Sequence, residues 1–120
     1  MINKWEVIFY EDKQGKSEIL NFLNELKMKE RAKVLAWIEQ LKSNGPLLPR
    51  PYADILRDSI DELRVKITGS QYRILYFFAF KKIIVLCSVF RKNVKKVPDF
   101  EIEKAIKMKF DFLNRFPRKL

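Results

Sequence analysis

No histidine occurs anywhere in the 120 residues, and there is one cysteine, Cys87. A lone thiol cannot form an internal disulfide, and without histidine a zinc site is not expected. Cys87 lies in the apolar run IIVLCSVF and reads as a small buried hydrophobe. No stretch of eighteen apolar residues exists, so no spanning helix is expected. The opening MINKWEVIFYEDKQGK lacks the basic, apolar, small-residue order of a secretory leader. A soluble cytoplasmic chain with no membrane partner, cofactor or metal is the expectation. Repeats, low-complexity stretches and long linkers are also missing, so residues 1–120 read as one domain.

Positive charge is what the sequence has in excess. The net charge is +10. Residues 1–60 carry ten Lys/Arg against nine Asp/Glu, whereas residues 61–120 carry fifteen against six. Almost all the excess therefore sits in one half. Such a field concentrates polyanions, with nucleic acid foremost. The densest cluster is VFRKNVKKVP (89–98), where Arg91, Lys92, Lys95 and Lys96 have no acid among them. It is either a solvated loop or a place where phosphates sit.

The pattern predicts the order β-α-α-β-β-β-α, an α+β fold. KWEVIFY (4–10) is rich in β-branched and aromatic residues and reads as a strand. Ser17 is placed to cap a helix presenting Ile19, Phe22, Leu23 and Leu26. A second helix, about 29–44, presents Val34, Leu35, Ile38 and Leu41, and stops at Gly45-Pro46. GPLLPRPY reads as a rigid loop. Strands follow at 62–67, 72–79 and 83–90, joined by connections short enough for antiparallel hairpins. A helix over 98–116 closes the chain, with Ile102, Ala105, Ile106, Lys109 and Leu113 as its stripe.

Strand alternation then sorts the charges. In ELRVKI, Leu63, Val65 and Ile67 point one way, towards the two helices, and Arg64 and Lys66 the other. If Tyr72, Ile74 and Tyr76 are core, Arg73 joins Arg64 and Lys66, with Leu75 and Phe77 needing cover from the last helix, a partner or stacked bases. The last strand is apolar on both faces, so parity cannot orient it. A second reading pairs Arg64 and Arg73 with Glu62 or Asp61, or lays them along the sheet edge.

Taken in order, ELR (62–64), YRILYF (72–77), FRKNVKKVP (90–98) and EIEKA (101–105) resemble the RelE/HigB superfamily of bacterial type II toxins. The phage-derived, HigB-like branch looks nearest, and the likeness covers nearly the whole chain. The resemblance implies a small twisted, mainly antiparallel sheet with two N-terminal helices on one face and a C-terminal helix. It implies an endoribonuclease cutting messenger RNA on the ribosome and neutralised by a cognate antitoxin, a helix-turn-helix protein. Arg64, Arg73 and Lys92 match the family's catalytic or RNA-contacting positions, and Lys96 matches a further lysine. Lys66, Arg91 and Lys95 extend the RNA-binding set. Asn93, Val94 and Val97 depart from the branch's F-x-K-K-T-x-K-T-P loop, and Asp61 stands where an aromatic is common.

RNA cleavage without metal needs a base for the 2′-hydroxyl, charge for the phosphorane oxygens and an acid for the leaving 5′-oxygen. Histidine being absent, lysine, tyrosine and carboxylates are the candidate proton carriers. Arg64 and Arg73 stay protonated and can only donate and neutralise. Lys92, crowded by Arg91, Lys95 and Lys96, is the candidate whose pKa neighbouring cations can lower. Tyr52, Tyr72 and Tyr76 are alternative acids or stacking platforms. A non-enzymatic module of prophage origin, holding RNA, DNA or an acidic protein and breaking no bond, accounts for the same surface.

Overall fold

The computed structural model describes residues 4–93 and 95–116. Its order is β1 (Glu6–Phe9), α1 (Glu18–Glu25), α2 (Met28–Asn44), a 3-10 turn (Gly45–Leu47), β2 (Ala53–Arg57), β3 (Ile60–Ile67), β4 (Ser70–Ala79), β5 (Ile83–Arg91) and α3 (Asp99–Arg115). The expected order lacks one of these strands. The five strands form a single mixed sheet, β1-β5-β4-β3-β2, in which only β1 and β5 are parallel.

The missed strand is β2. It follows directly on the Pro-rich loop and shows no clean alternation: Ile55 is 74% exposed, and a register break falls between Ile55 and Arg57. Its link to β3 is a two-residue turn at Asp58-Ser59, both at positive φ (53° and 61°), without the glycine that usually announces such a turn. Pairing with β3, not local propensity, makes it a strand. Its outer edge is closed from within: the Ile55 amide donates to Asp54 Oδ1 (2.8 Å) and the Ala53 amide to the Pro49 carbonyl (3.1 Å).

Two cores lie on opposite sides of the sheet. The first joins Ile19 and Leu23 of α1 and Val34, Ile38 and Leu41 of α2 to Leu63, Val65, Ile67, Ile74, Tyr76, Ile84 and Leu86. Leu35, counted in the α2 stripe from sequence, is 43% exposed. The second core joins Ile102, Ala105 and Phe112 of α3 to Leu75, Phe77, Val85 and Cys87. The apolar surface of Leu75 and Phe77 is therefore covered by α3, with Phe112 edge-on to Phe77 at 5.8 Å between ring centroids.

Local chemistry sets the ends of these elements. Ser17 Oγ accepts from the Leu20 amide at 3.1 Å, as a capping side chain does. The β3–β4 hairpin turns through Thr68 and Gly69, both at positive φ. In β5 one extra residue around Cys87–Ser88 bulges opposite Leu75/Tyr76. Beyond it, Glu18 Oε2 accepts from the Val89 amide (2.9 Å) while Oε1 meets Lys104 Nζ (2.7 Å), tying α1, β5 and α3 together. Arg57 anchors the β2–β3 turn to α3 through Asp99 and Glu103.

Gly45 ends α2 at φ 55°, and a Cβ there would run into the Trp5 indole. Gly45→Ala combines that clash with a disfavoured backbone region. It should cost more than about 1 kcal/mol, read as a lower urea midpoint at unchanged m.

Candidate functional site

On the α3 side of the sheet, beyond Leu75, the ladder brings cations together. Arg64 pairs directly with Arg73, Arg73 in turn with Phe90, and Lys66 with Gln71. Two guanidiniums side by side repel, and the side chain that holds them is Glu62, one step away on the same face. Its Oε2 accepts from Arg64 Nη2 (3.0 Å) and Nε (3.2 Å), and its Oε1 lies 3.0 Å from Arg73 Nε. Arg64 also reaches Asp54 Oδ2 at 3.3 Å.

The two arginines differ in access. The Arg64 side chain is 32% exposed; those of Arg73 and Glu62 are 6% and 4%. The Arg73 N–H is not aimed at Glu62 Oε1, and neither atom has a hydrogen-bond partner among the described residues. Arg73 Nη2 donates instead to Gln71 Oε1 (3.3 Å). Burial lowers the Arg73 pKa more than Glu62 restores it. Arg73 thus supplies charge from beneath the site, and Arg64 offers the accessible donor. The ion-pair reading of both arginines from sequence describes their resting partners: Glu62 for each, and not Asp61, which stands on the opposite face with Tyr76.

Lys92 leaves β5 with its amide donating to the Gln71 carbonyl (2.7 Å), half-buried beside this cluster. Its pKa lies below the ordinary lysine value. Burial is the chief cause, followed by Arg73; Arg64 adds to it and Glu62 opposes it. The lowering comes from the sheet and not from the neighbouring loop lysines.

Arg64, Arg73 and Lys92 therefore meet, and Lys66 lies exposed two residues along β3 on the same face. Arg91 does not join them: it pairs with Tyr72 and belongs to the helix-pair face. Lys95 and Lys96 are exposed in the loop. Val97, a departure from the loop pattern, is 6% exposed and anchors the loop in the α3-side core. Val94 lies outside the described residues. Tyr72 and Tyr76 pack in the helix-pair core, and Tyr52 stacks on Trp37 (4.8 Å) while 42% exposed. Asp54 and the carboxylate linking the two arginines were not among the site residues read from sequence. The i, i+2 spacing of Glu62 and Arg64 was the available signal.

Among the described residues no three His, Cys, Asp or Glu side chains gather as a metal site needs, and no helix is long and apolar enough to cross a membrane. The arrangement is a cationic one, with the chemistry to receive an anion: a small α+β domain presenting Arg64, Arg73 and Lys92 around the buried Glu62 carboxylate. The family model for "Phage derived protein Gp49-like (DUF891)" matches residues 21–109. The chain belongs to this phage-derived family, which is RelE/HigB-like and toxin-like in general. No curated protein matches it.

Replacing Glu62 by Gln leaves Arg73 buried without a counter-charge. Breaking a buried pair in this way costs about 3–5 kcal/mol. Glu62→Gln should unfold at correspondingly lower urea, and Arg64→Gln, at a more exposed position, should lose much less.

Proposed function

We propose that this chain is the toxin of a type II toxin–antitoxin pair, of the HigB-like branch. In this reading it is an endoribonuclease that cuts messenger RNA in the cytoplasm, on the ribosome, without a metal. Meeting of Arg64, Arg73 and Lys92 on one sheet face, within a Gp49-like chain, is the observation that carries this reading. A cognate antitoxin, a helix-turn-helix protein, would hold it off.

In the proposed step the RNA 2′-oxygen forms a bond to the adjacent phosphorus and the bond to the 5′-oxygen breaks. The 2′-hydroxyl proton passes to neutral Lys92, whose pKa is already depressed, or to a water it positions. Arg64 donates to a non-bridging oxygen as charge builds there, and Arg73 adds fixed positive charge from below. Bound phosphate would draw Arg64 partly away from Glu62, leaving that carboxylate to Arg73. The 5′-oxygen leaves with a proton from solvent or from protonated Lys92.

A second reading is an RNA-binding module that cuts nothing. The engagement of both guanidiniums by Glu62 favours it, since neither is free at rest. Induced expression separates the two. A nuclease arrests growth and leaves transcripts with new mapped 5′ ends; a binder leaves RNA intact under salt-sensitive binding.

Removing one transition-state donor typically costs roughly 10²–10³ in rate, so Arg64→Ala should lower cleavage by that factor. Uncut transcripts with wild type, or undiminished cutting by Arg64→Ala, would end the nuclease reading. If Lys92 is the base, the cleavage rate should rise with pH through a pKa below that of ordinary lysine. Lys92→Ala should then abolish that limb of the pH profile.

A further inference from the structure

The sheet face opposite the arginines carries a second polar feature. A cavity of about 260 Å³ opens under the 3-10 turn, between Pro46 and Leu48 on one side and Ala53 and Ile55 of β2 on the other. Asp61 and Tyr76, cross-strand neighbours on β3 and β4, form its inner wall. Tyr76 is 2% exposed, yet its hydroxyl has no hydrogen-bond partner among the described residues and is not sealed from the cavity. Asp61 is half-buried and makes no ion pair or hydrogen bond among the described residues. The nearby Asp54 differs: Arg50 and Arg64 both hold it.

Asp61 and the Tyr76 hydroxyl therefore both face the cavity with hydrogen-bonding capacity that no described residue uses. Burial and the Asp54 charge push the Asp61 pKa up to about 6, with Lys109 the only opposing cation. The Lys109 ammonium is itself engaged, donating to the Asp58 carbonyl at 3.3 Å. Burial and the Asp61 charge also raise the Tyr76 pKa. The one cation lining the cavity, Arg50, is held by Asp54 at 3.0 Å and makes no ion pair with Asp61 among the described residues, so Asp61 itself faces no donor-rich positive group; the apolar sides suit an alkyl stem.

We propose that this cavity is a binding site for one alkylammonium or guanidinium group, its N–H donors directed at the Asp61 carboxylate and the Tyr76 phenolic oxygen. The source is either a lysine or arginine side chain of a partner polypeptide or a free small amine. The site opens on the other face of the sheet from the arginine cluster, with Asp54 lining it and pairing with Arg64, and it does not depend on nuclease activity.

The test titrates ¹⁵N-labelled full chain with n-butylammonium, N-ethylguanidinium, neutral 1-pentanol and guanosine, following backbone amides. Saturable shifts at residues 45, 47–48, 53–55, 61 and 76 are expected with the cations and not with pentanol. Binding should weaken as pH falls from 7.5 through about 6, as Asp61 takes up its proton. The charged and titratable groups facing it are Asp54, Arg50, Tyr76 and Lys109. Asp61→Asn should weaken binding by at least roughly tenfold, as loss of a charged hydrogen-bond partner does; Tyr76→Phe should weaken it less.

Asp61→Asn is expected to fold. A carboxyl whose folded pKa is raised favours the native state only while protonated, so its burden grows as pH rises past about 4 towards 6. The variant should melt higher than the parent at pH 7.5 and equally near pH 4. Cation curves that Asp61→Asn leaves unchanged, or saturation by guanosine alone, would overturn the site; the guanosine result would assign the cavity to an RNA base. Acetyl-Gly-Lys-Gly-amide distinguishes the sources: binding tighter than butylammonium points to a polypeptide, and equal binding to a free amine. Either result upholds the cation site.

Discussion

One carboxylate organises the cationic face. Glu62 stands between two arginines that the strand register forces into direct opposition, and without it that juxtaposition would be repulsive. Its two oxygens divide the work. One receives Arg64 through two donors, and the other compensates the buried Arg73 by proximity more than by a well-aimed hydrogen bond. An anion arriving at this face therefore competes with a resident anion, and the exposed Arg64 is the guanidinium free to exchange. Lys92 feels all three charges, so its proton affinity, lowered first by burial, is tuned further by residues on neighbouring strands.

Much of the fold was legible because its signals are local and periodic. The Ser17 cap, the Gly45-Pro46 stop and the alternation in ELRVKI each have a short-range physical cause, and each lies where the pattern placed it. The helix pair and α3 take opposite faces of the sheet because β3, β4 and β5 supply apolar residues to both. β2 was not legible. It is short, bulged and exposed at Ile55, and its turn uses Asp58-Ser59 in place of glycine. Only the partner strand reveals it.

The candidate site divides along the same line. That Arg64, Lys66 and Arg73 share a face follows from period two alone. The depth of Arg73 does not, because burial depends on packing between elements far apart in the chain. Nor does the role of Val97. Read against a family motif it is a missing hydroxyl; in the fold it is the apolar peg that seats the loop on α3. The cavity at Asp61 was hidden for a similar reason, since the turn after α2 and the unforeseen β2 make its walls.

The bulge in β5 has a consequence for which cation joins the two arginines. Below it, Leu86 stands opposite Tyr76; above it, Ser88 stands opposite Leu75, so one residue has been absorbed. That single insertion reverses the phase of everything downstream. In an unbroken ladder Val89 would oppose Arg73, Arg91 would fall on the arginine side, and Lys92 would turn towards the helix pair. The irregularity around Cys87 is therefore a selector switch: it hands the position beside the two guanidiniums to an amine able to shed its proton, and turns away a third group that cannot.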